Sequence, residues 1–150
     1  MARQEASMSI KSLTPYLMFD GTAAKAIALY ERALGAHAEG VMRFSDAPPD
    51  AGHTPDPKAA DRVLHALLRI GGGAVMLSDC PPGMSVPNDT NTQVCVEFSE
   101  QDEMVERFDA LAAGGHVTMP LQDTFWGAHF GMLTDPFGIQ WMFSCELKKG

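Results

Sequence analysis

Residues 94–115, VCVEFSEQDEMVERFDALAAGG, contain the pattern that decides the fold. The apolar run at 94–98 is typical of a short buried strand. It is followed by Ser99, a residue type that favours a helix N-cap, and by acidic residues that favour the positive end of a helix dipole. Apolar residues then recur at helical spacing until Gly114 ends the pattern. The stretch predicts a strand followed by an amphipathic helix.

The same pattern occurs about 78 positions earlier. Residues 13–35, LTPYLMFDGTAAKAIALYERALG, begin with an apolar run, continue through the helix-start signal Asp20-Gly21-Thr22, and end at Gly35. Three strand-like segments follow each helix: 41–44, 63–70 and 74–78 in the first half, and 117–121, 128–133 and 139–143 in the second. The chain therefore predicts two strand–helix–strand–strand–strand halves.

The turns between the predicted strands support this division. Residues 71–73 are three consecutive glycines, which favour a hairpin turn. Asp135-Pro136-Phe137-Gly138 suits a type I turn, because proline presets the backbone angle at the second position and the aspartate can accept hydrogen bonds from the turn amides.

Length and composition indicate a globular domain and exclude several classes of partner. The chain has 150 residues, of which 45% are hydrophobic and 20% charged, with a formal net charge of -8. A charge of this sign disfavours nucleic acid and anionic membrane surfaces. Cys80, Cys95 and Cys145 are widely spaced, so we expect reduced, semi-buried thiols. The polar N-terminal stretch lacks a secretory signal, and no segment is apolar enough to span a membrane, so we expect a cytoplasmic protein.

Neither half contains enough apolar surface to fold by itself, because a unit of about 60 residues buries only about 60% of its surface. We therefore expect one domain over residues 12–146, with a first module at 12–79, a linker at 80–91 and a second module at 92–146. The proline-rich stretch 45–60 is expected to be an exposed insertion, and residues 1–11 and 147–150 to be tails.

Five short motifs link these halves to a known family. They are Thr14-Pro15-Tyr16-Leu17, His65-Ala66, Met76-Leu77-Ser78-Asp79, Trp126-Gly127, and Asp135-Pro136-Phe137-Gly138 followed by Trp141. In order and spacing they resemble the PhnB-like branch of the vicinal oxygen chelate superfamily, which also contains glyoxalase I, bleomycin-resistance proteins and extradiol dioxygenases. The resemblance implies an α+β fold in which two βαβββ modules form an incomplete eight-stranded barrel around a cavity, and a homodimer.

Metal-dependent members of that superfamily hold a divalent ion with four His, Gln or Glu ligands on the first and last strands of the modules. The resemblance places Pro15, either Met76 or Leu77, Gln93, and Met142 at those positions. Only Gln93 offers an oxygen ligand, since a thioether is a poor ligand for hard divalent ions. We therefore expect no metal centre of the usual kind and no cofactor.

Two side chains are candidates for acid–base or recognition roles. If Val94 and Val96 pack on the helix, alternation sends Gln93, Cys95 and Glu97 towards the cavity. Glu97 is then a general base or recognition group, or it pairs with a basic residue at the strand end. His65 is either an acid, base or hydrogen-bond donor in the cavity, or a structural histidine.

Aromatic residues near the second module have two kinds of expected role. Phe125 and Trp126 lie in a predicted loop, where they form either a lid over the cavity or a hydrophobic plug or dimer contact. His129 stands in a segment where relatives often carry an arginine. Trp141 and Phe143 alternate with Met142, and we expect both to lie in the core.

The leading hypothesis is a metal-free protein that binds a small molecule in its barrel cavity. The expected lining is Tyr16, Leu17, His65, Gln93, Cys95, Glu97, Trp126, His129 and Met142. One alternative is a divalent-metal lyase, isomerase or dioxygenase with relocated ligands from Gln93, Glu97, His65 and His129. Another is a drug-sequestering dimer of the bleomycin-resistance type. The motifs of serine hydrolases, P-loop proteins and dinucleotide-binding proteins are absent from the sequence.

Overall fold

The computed structural model of the protein describes residues 9, 11–46, 59–87 and 91–148. Two α-helices and eight strands lie in these ranges. In chain order they are β1 Tyr16–Phe19, α1 Ala23–Leu34, β2 His37–Arg43, β3 Val63–Ile70, β4 Gly73–Asp79, β5 Val94–Phe98, α2 Gln101–Ala112, β6 His116–Asp123, β7 Ala128–Thr134 and β8 Gln140–Glu146. Each half is therefore a βαβββ module, as the sequence predicts.

The two modules form two four-stranded sheets with the same topology. The strand order is β1-β4-β3-β2 in sheet 1 and β5-β8-β7-β6 in sheet 2. In each sheet the first strand pairs in parallel with the last, and the other pairs are antiparallel. The sheets do not close into one barrel. The expected α+β fold of paired βαβββ modules is confirmed.

One face of each sheet is buried beneath the helices. Leu77 and Leu68 of sheet 1 and Trp141 and Phe143 of sheet 2 are fully buried in a single hydrophobic core with both helices. The prediction that Trp141 and Phe143 are core residues is confirmed. The two helices pack against each other, and α1 also reaches the second module, where Tyr30 makes an edge-on contact with Trp141 at a centroid distance of 5.3 Å.

Asp135 holds the second hairpin turn in place. Its Oδ1 accepts hydrogen bonds from the backbone N–H groups of Phe137 at 2.9 Å and Ile139 at 3.1 Å, which confirms the expected aspartate turn. Its Oδ2 accepts bonds from the Tyr30 hydroxyl at 2.6 Å and from Trp141 Nε1 at 3.0 Å. The turn is therefore tied to the helix of the other module.

Some local expectations need correction. The N-cap of α2 is Glu100 rather than Ser99, and its side chain makes no capping hydrogen bond. Cys95 is exposed, whereas Cys80 and Cys145 are buried. His53 and most of the proline-rich stretch lie outside the described residues. In the described part of the chain, neither helix is long and apolar enough to cross a membrane.

Candidate functional site

The second face of each sheet carries no helix, and we call these surfaces open face 1 and open face 2. Their side chains alternate with the buried ones along each strand. Open face 1 consists of Tyr16, Met18, His37, Glu39, Met42, His65, Leu67, Arg69, Met76 and Ser78. Open face 2 consists of Gln93, Cys95, Glu97, His116, Met119, Gln122, Phe130, Met132, Thr134, Gln140, Met142, Ser144 and Glu146. Tyr16, Met18 and Met42 keep 46%, 40% and 44% of their surface exposed, so large apolar groups on open face 1 remain accessible.

A polar pair lies in the middle of open face 1. The Tyr16 hydroxyl and His65 Nδ1 are 3.3 Å apart, and their rings are tilted towards each other at a centroid distance of 6.0 Å. Beside them, the Ser78 hydroxyl donates to Met18 Sδ at 3.5 Å. Hydroxyl, imidazole and thioether groups therefore lie together on this face.

Open face 2 is arranged in rows across the strands. One row joins Glu97, Ser144 and Phe130, because Ser144 is registered opposite both of the others. The next row contains four sulfur-bearing side chains, which we call the sulfur row. It runs Cys95, Met142, Met132, Met119 across all four strands. A polarisable apolar floor of this kind adapts to ligands of different shape.

The β6–β7 loop places an aromatic group at one end of open face 2. Trp126 makes an edge-on contact with Phe130 at a centroid distance of 5.6 Å and with Phe125 at 5.1 Å. Trp126 is 56% exposed and Phe125 is 96% exposed. The position at the edge of the face is compatible with both expected roles, the lid and the dimer contact.

Open face 2 carries the carboxylates of Glu97 and Glu146 and one histidine, His116, which is registered opposite Thr134. The four strands of sheet 2 contain no lysine or arginine. The Cys95 thiol has a raised pKa, first because of partial desolvation by its neighbours and then because of the Glu97 charge, so it stays protonated near neutral pH. On sheet 1, the Arg69 guanidinium is bound to Glu39 at 3.0 Å.

Two of the predicted pocket residues point elsewhere. Leu17 is buried on the helix-covered face, where its neighbour in β4 is Leu77. His129 is registered with the buried Cys145, and its Nδ1 lies 2.7 Å from Asp123 Oδ1. The other predicted residues lie at three places. Tyr16 and His65 are on open face 1, and Trp126 is in the loop beside open face 2. Open face 2 itself carries Gln93, Cys95, Glu97 and Met142.

The four positions that the family resemblance assigns to a metal carry side chains that do not suit a hard divalent ion. Of the two candidates in β4, Met76 is the one that points to the open face, because Leu77 is buried beneath the helix. Pro15 precedes β1, and its carbonyl accepts a hydrogen bond from the Met76 N–H. The set is thus Pro15, Met76, Gln93 and Met142, which supplies two thioethers and one amide oxygen. Among the described residues, no three His, Cys, Asp or Glu side chains are grouped as metal ligands.

Two clefts run along the free edges of β1 and β5. A cleft of about 900 Å³ lies between β1 and the β7–β8 turn, and its lining includes Tyr16, Met18 and Gln93. A cleft of about 560 Å³ lies between β5 and the β3–β4 turn, and its lining includes Cys95 and Glu97. Each edge strand therefore contributes residues both to a cleft and to an open face.

The sequence reasoning missed the neighbours that complete open face 2. Phe130, Met132 and Ser144 join the predicted residues only through the hairpin register, which no local pattern reveals. The sequence does contain one indication of Ser144. If Trp141 and Phe143 are buried, then Met142 and Ser144, which alternate with them along the strand, must point to the opposite face.

Comparison with known proteins identifies the fold as a familiar one. The profile of the glyoxalase/bleomycin resistance protein/dioxygenase superfamily matches residues 12–143. The chain belongs to this superfamily. It is 36% identical over 140 residues to protein YjdN of Escherichia coli, and the match covers 88% of this chain and 93% of YjdN.

Solved structures of bacterial proteins share this fold. Protein PA1353 from Pseudomonas aeruginosa superposes with a TM-score of 0.81 at 36% identity and covers 93% of this chain and 100% of that one. A PhnB protein from Bacillus cereus superposes with a TM-score of 0.70 at 22% identity, covering 90% of this chain and 99% of that one, and shows the shared fold.

Proposed function

We propose that this PhnB-like protein binds a small molecule on its open faces without the four-ligand metal centre of the superfamily. The observation that carries the proposal is the chemistry of these faces. The fold's ligand positions hold Pro15, Met76, Gln93 and Met142, and the surrounding surface is apolar, thioether-rich and accessible. Accessible apolar surface with a few polar groups is typical of ligand sites.

The protein is further proposed to act as a homodimer. Members of the superfamily are commonly dimers, and each open face of this chain leaves large side chains in solvent, such as Tyr16 and Met42 on open face 1. A second copy placed over these faces encloses the ligand and removes that surface from water. Light scattering after gel filtration tests this, with an expected mass of twice the 16.2 kDa chain. A monomer at micromolar concentration overturns the dimer.

Binding is tested with the neutral probe N-phenyl-1-naphthylamine, which fluoresces in apolar sites. Protein treated with a chelator is expected to bind the probe, and Met142→Glu to weaken binding at least about tenfold because a charge then enters the sulfur row. Met84→Glu is the matched control, since Met84 is 58% exposed and lies in the linker. Circular dichroism checks that both variants fold.

Metal uptake decides between this proposal and the metal-enzyme alternative. Plasma mass spectrometry after incubation with nickel, manganese, zinc and iron(II) is expected to show far less than one equivalent per chain. One equivalent, lost in Gln93→Ala or Glu97→Ala, overturns the metal-free proposal. Probe binding that is equal in Met142→Glu and wild type overturns the assignment of the site to open face 2.

A further inference from the structure

We infer that the proposed small-molecule site selects an organic cation with a flat apolar body, and that Glu97 is the group that recognises the positive charge. The inference rests on the proposed function and names the chemical class of its ligand. Three features of open face 2 lead to it: the position of one carboxylate, the aromatic group at the end of the same row, and the absence of lysine and arginine from the strands around them.

The carboxylate is available to a ligand. Glu97 is an exposed residue of β5, and within the described ranges of the chain its side chain has no ion pair or hydrogen bond. The nearest other ionisable group on the face, Cys95, is held in its neutral form by desolvation and by Glu97. Glu97, together with the exposed Glu146 two residues after Ser144 in the neighbouring strand, therefore gives this part of the face a negative charge.

The aromatic surface lies across the same row. Phe130 is two strands away from Glu97, with Ser144 between them, a separation of about 10 Å between backbones. Phe130 is itself buried, with 8% of its surface exposed, and Trp126, which packs edge-on against it and is 56% exposed, is the accessible aromatic group. Between the two ends, the sulfur row and the Ser144 hydroxyl provide an apolar floor with one polar group. A molecule with a positive group at one end and a ring at the other matches this arrangement.

Anionic ligands are disfavoured by the same surface. A site for a phosphonate, phosphate or carboxylate normally presents arginine, lysine or a set of backbone N–H groups. The strands of sheet 2 have no lysine or arginine, and the chain as a whole carries a formal net charge of -8. Both the local and the overall charge therefore favour a cation over an anion of the same size.

The test compares three probes that share one ring and one chain length: 4-phenylbutylamine, 4-phenylbutan-1-ol and 4-phenylbutanoate. Isothermal titration is expected to rank them as amine, alcohol, acid, with the amine about fivefold tighter than the alcohol at low salt. Glu97→Gln is expected to remove the difference between amine and alcohol while leaving alcohol binding in place. Glu106→Gln changes the net charge equally on an exposed part of α2 and is expected to preserve the difference.

The outcomes separate this inference from the proposed function. Equal binding of the three probes, or an amine preference that survives in Glu97→Gln, overturns the role of Glu97 while small-molecule binding stands. Tightest binding of the acid overturns the cation class. Failure of all three probes to bind overturns the inference, and the naphthylamine titration then decides whether the open faces bind small molecules at all.

Discussion

Asp79 and Asp135 are the buried carboxylates of the described chain, one in each module, and they bind different partners. Asp79 accepts hydrogen bonds from the backbone N–H groups of Gly21, Ala23 and Val63, all in its own module. Asp135 binds its own turn, Trp141, and also Tyr30 of the other module. The first carboxylate closes one module, whereas the second joins the two.

The comparison shows that a repeated backbone does not repeat its stabilising contacts. Both modules have the same strand order and a helix of 12 residues. Among the described residues, two side-chain hydrogen bonds join the modules: Tyr30 donates to Asp135, and Arg107 donates to the Ala33 carbonyl at 3.2 Å. The buried carboxylate that takes part is the one in the second module. A buried polar group with all its partners in place specifies geometry more strictly than apolar packing does.

The largest expected effect is the loss of the carboxylate that joins the modules. Asp135→Ala is expected to lower the free energy of unfolding by about 4 kcal/mol, because it leaves the buried Tyr30 and Trp141 donors without an acceptor and frees two turn amides. Urea titration followed by circular dichroism measures the change. Asp79→Ala is expected to be less destabilising, and the reverse order would contradict the comparison.

The two modules also end their helices differently. Gly35 ends α1 in the left-handed conformation with a φ of 66°, whereas Gly115, after α2, packs against β7. A methyl group at Gly115 overlaps the Thr134 carbonyl and the Asp135 backbone, so Gly115→Ala is expected to cost about 3 kcal/mol. Gly35→Ala is expected to cost about 1 kcal/mol, through backbone strain and a close contact of the added methyl group with the Arg107 guanidinium at 3.2 Å.

Gly72→Ala is the control for this pair. Gly72 has no atom within 4 Å of an added methyl group, so its substitution is expected to change stability by less than about 0.5 kcal/mol. Thermal denaturation of the three variants gives the ranking. Equal losses of stability in Gly115→Ala and Gly72→Ala would show that Gly115 does not lie against the Thr134 and Asp135 backbone in solution.

Alkaline pH tests the bond between the modules. Burial, followed by the Asp135 charge and hydrogen bond, raises the pKa of Tyr30 far above its usual value of 10.0. Above about pH 10 the native state therefore keeps the Tyr30 hydroxyl proton, whereas the unfolded chain loses it. The free energy of unfolding is unaffected by ionisation of this group below about pH 10 and falls above it by up to about 1.4 kcal/mol per pH unit. Tyr30→Phe is expected to reduce this fall, and Tyr16→Phe to leave it in place.

Urea titrations between pH 8 and 11 provide the measurement for both tyrosine variants. Tyr30→Phe is also expected to lose about 1 kcal/mol at neutral pH, because the hydroxyl no longer donates to Asp135. If the free energy of unfolding falls equally with rising pH in wild type and Tyr30→Phe, the Tyr30 hydroxyl is not buried against the Asp135 carboxylate.

The smallest expected effect concerns the open faces. The Glu97 charge contributes to the raised pKa of Cys95, although desolvation contributes more. Glu97→Gln is expected to increase the rate of Cys95 alkylation by iodoacetamide at pH 8 about twofold, because a larger fraction of the thiol is ionised. Mass spectrometry of the modified peptide follows the rate. Glu106→Gln is the control, and an equal rate increase in that variant would point to the net charge instead.

Much of the fold follows from local patterns. The spans of β3 and β5 agree with the periodicity, and the glycine and Asp-Pro signals mark the turns. The repeat could be recognised because apolar spacing and helix stops depend on nearby residues only. The first strand is shorter than its apolar run suggests, since Leu13 is 95% exposed and lies outside the sheet.

The candidate site was less accessible to sequence reasoning, because it depends on register between strands. Alternation correctly sends Cys95 and Glu97 to the face opposite the helix, yet it could not decide between Met76 and Leu77 without a pairing partner. Phe130 becomes a neighbour of Glu97 only through Ser144 of a third strand. The Tyr30–Asp135 bond joins residues 105 positions apart, a separation that no local pattern encodes.

Methionine methyl groups offer the most direct test of the claim that the open faces bind small molecules without metal. Chelator-treated protein with ¹³C-labelled methionine methyls is titrated with N-phenyl-1-naphthylamine and followed by NMR. The methyl signals of Met132 and Met142 are expected to shift, while that of Met104, fully buried in α2, stays in place. Shifts that appear only after a divalent metal is added, or that affect Met104 and not the open-face methionines, would contradict the claim.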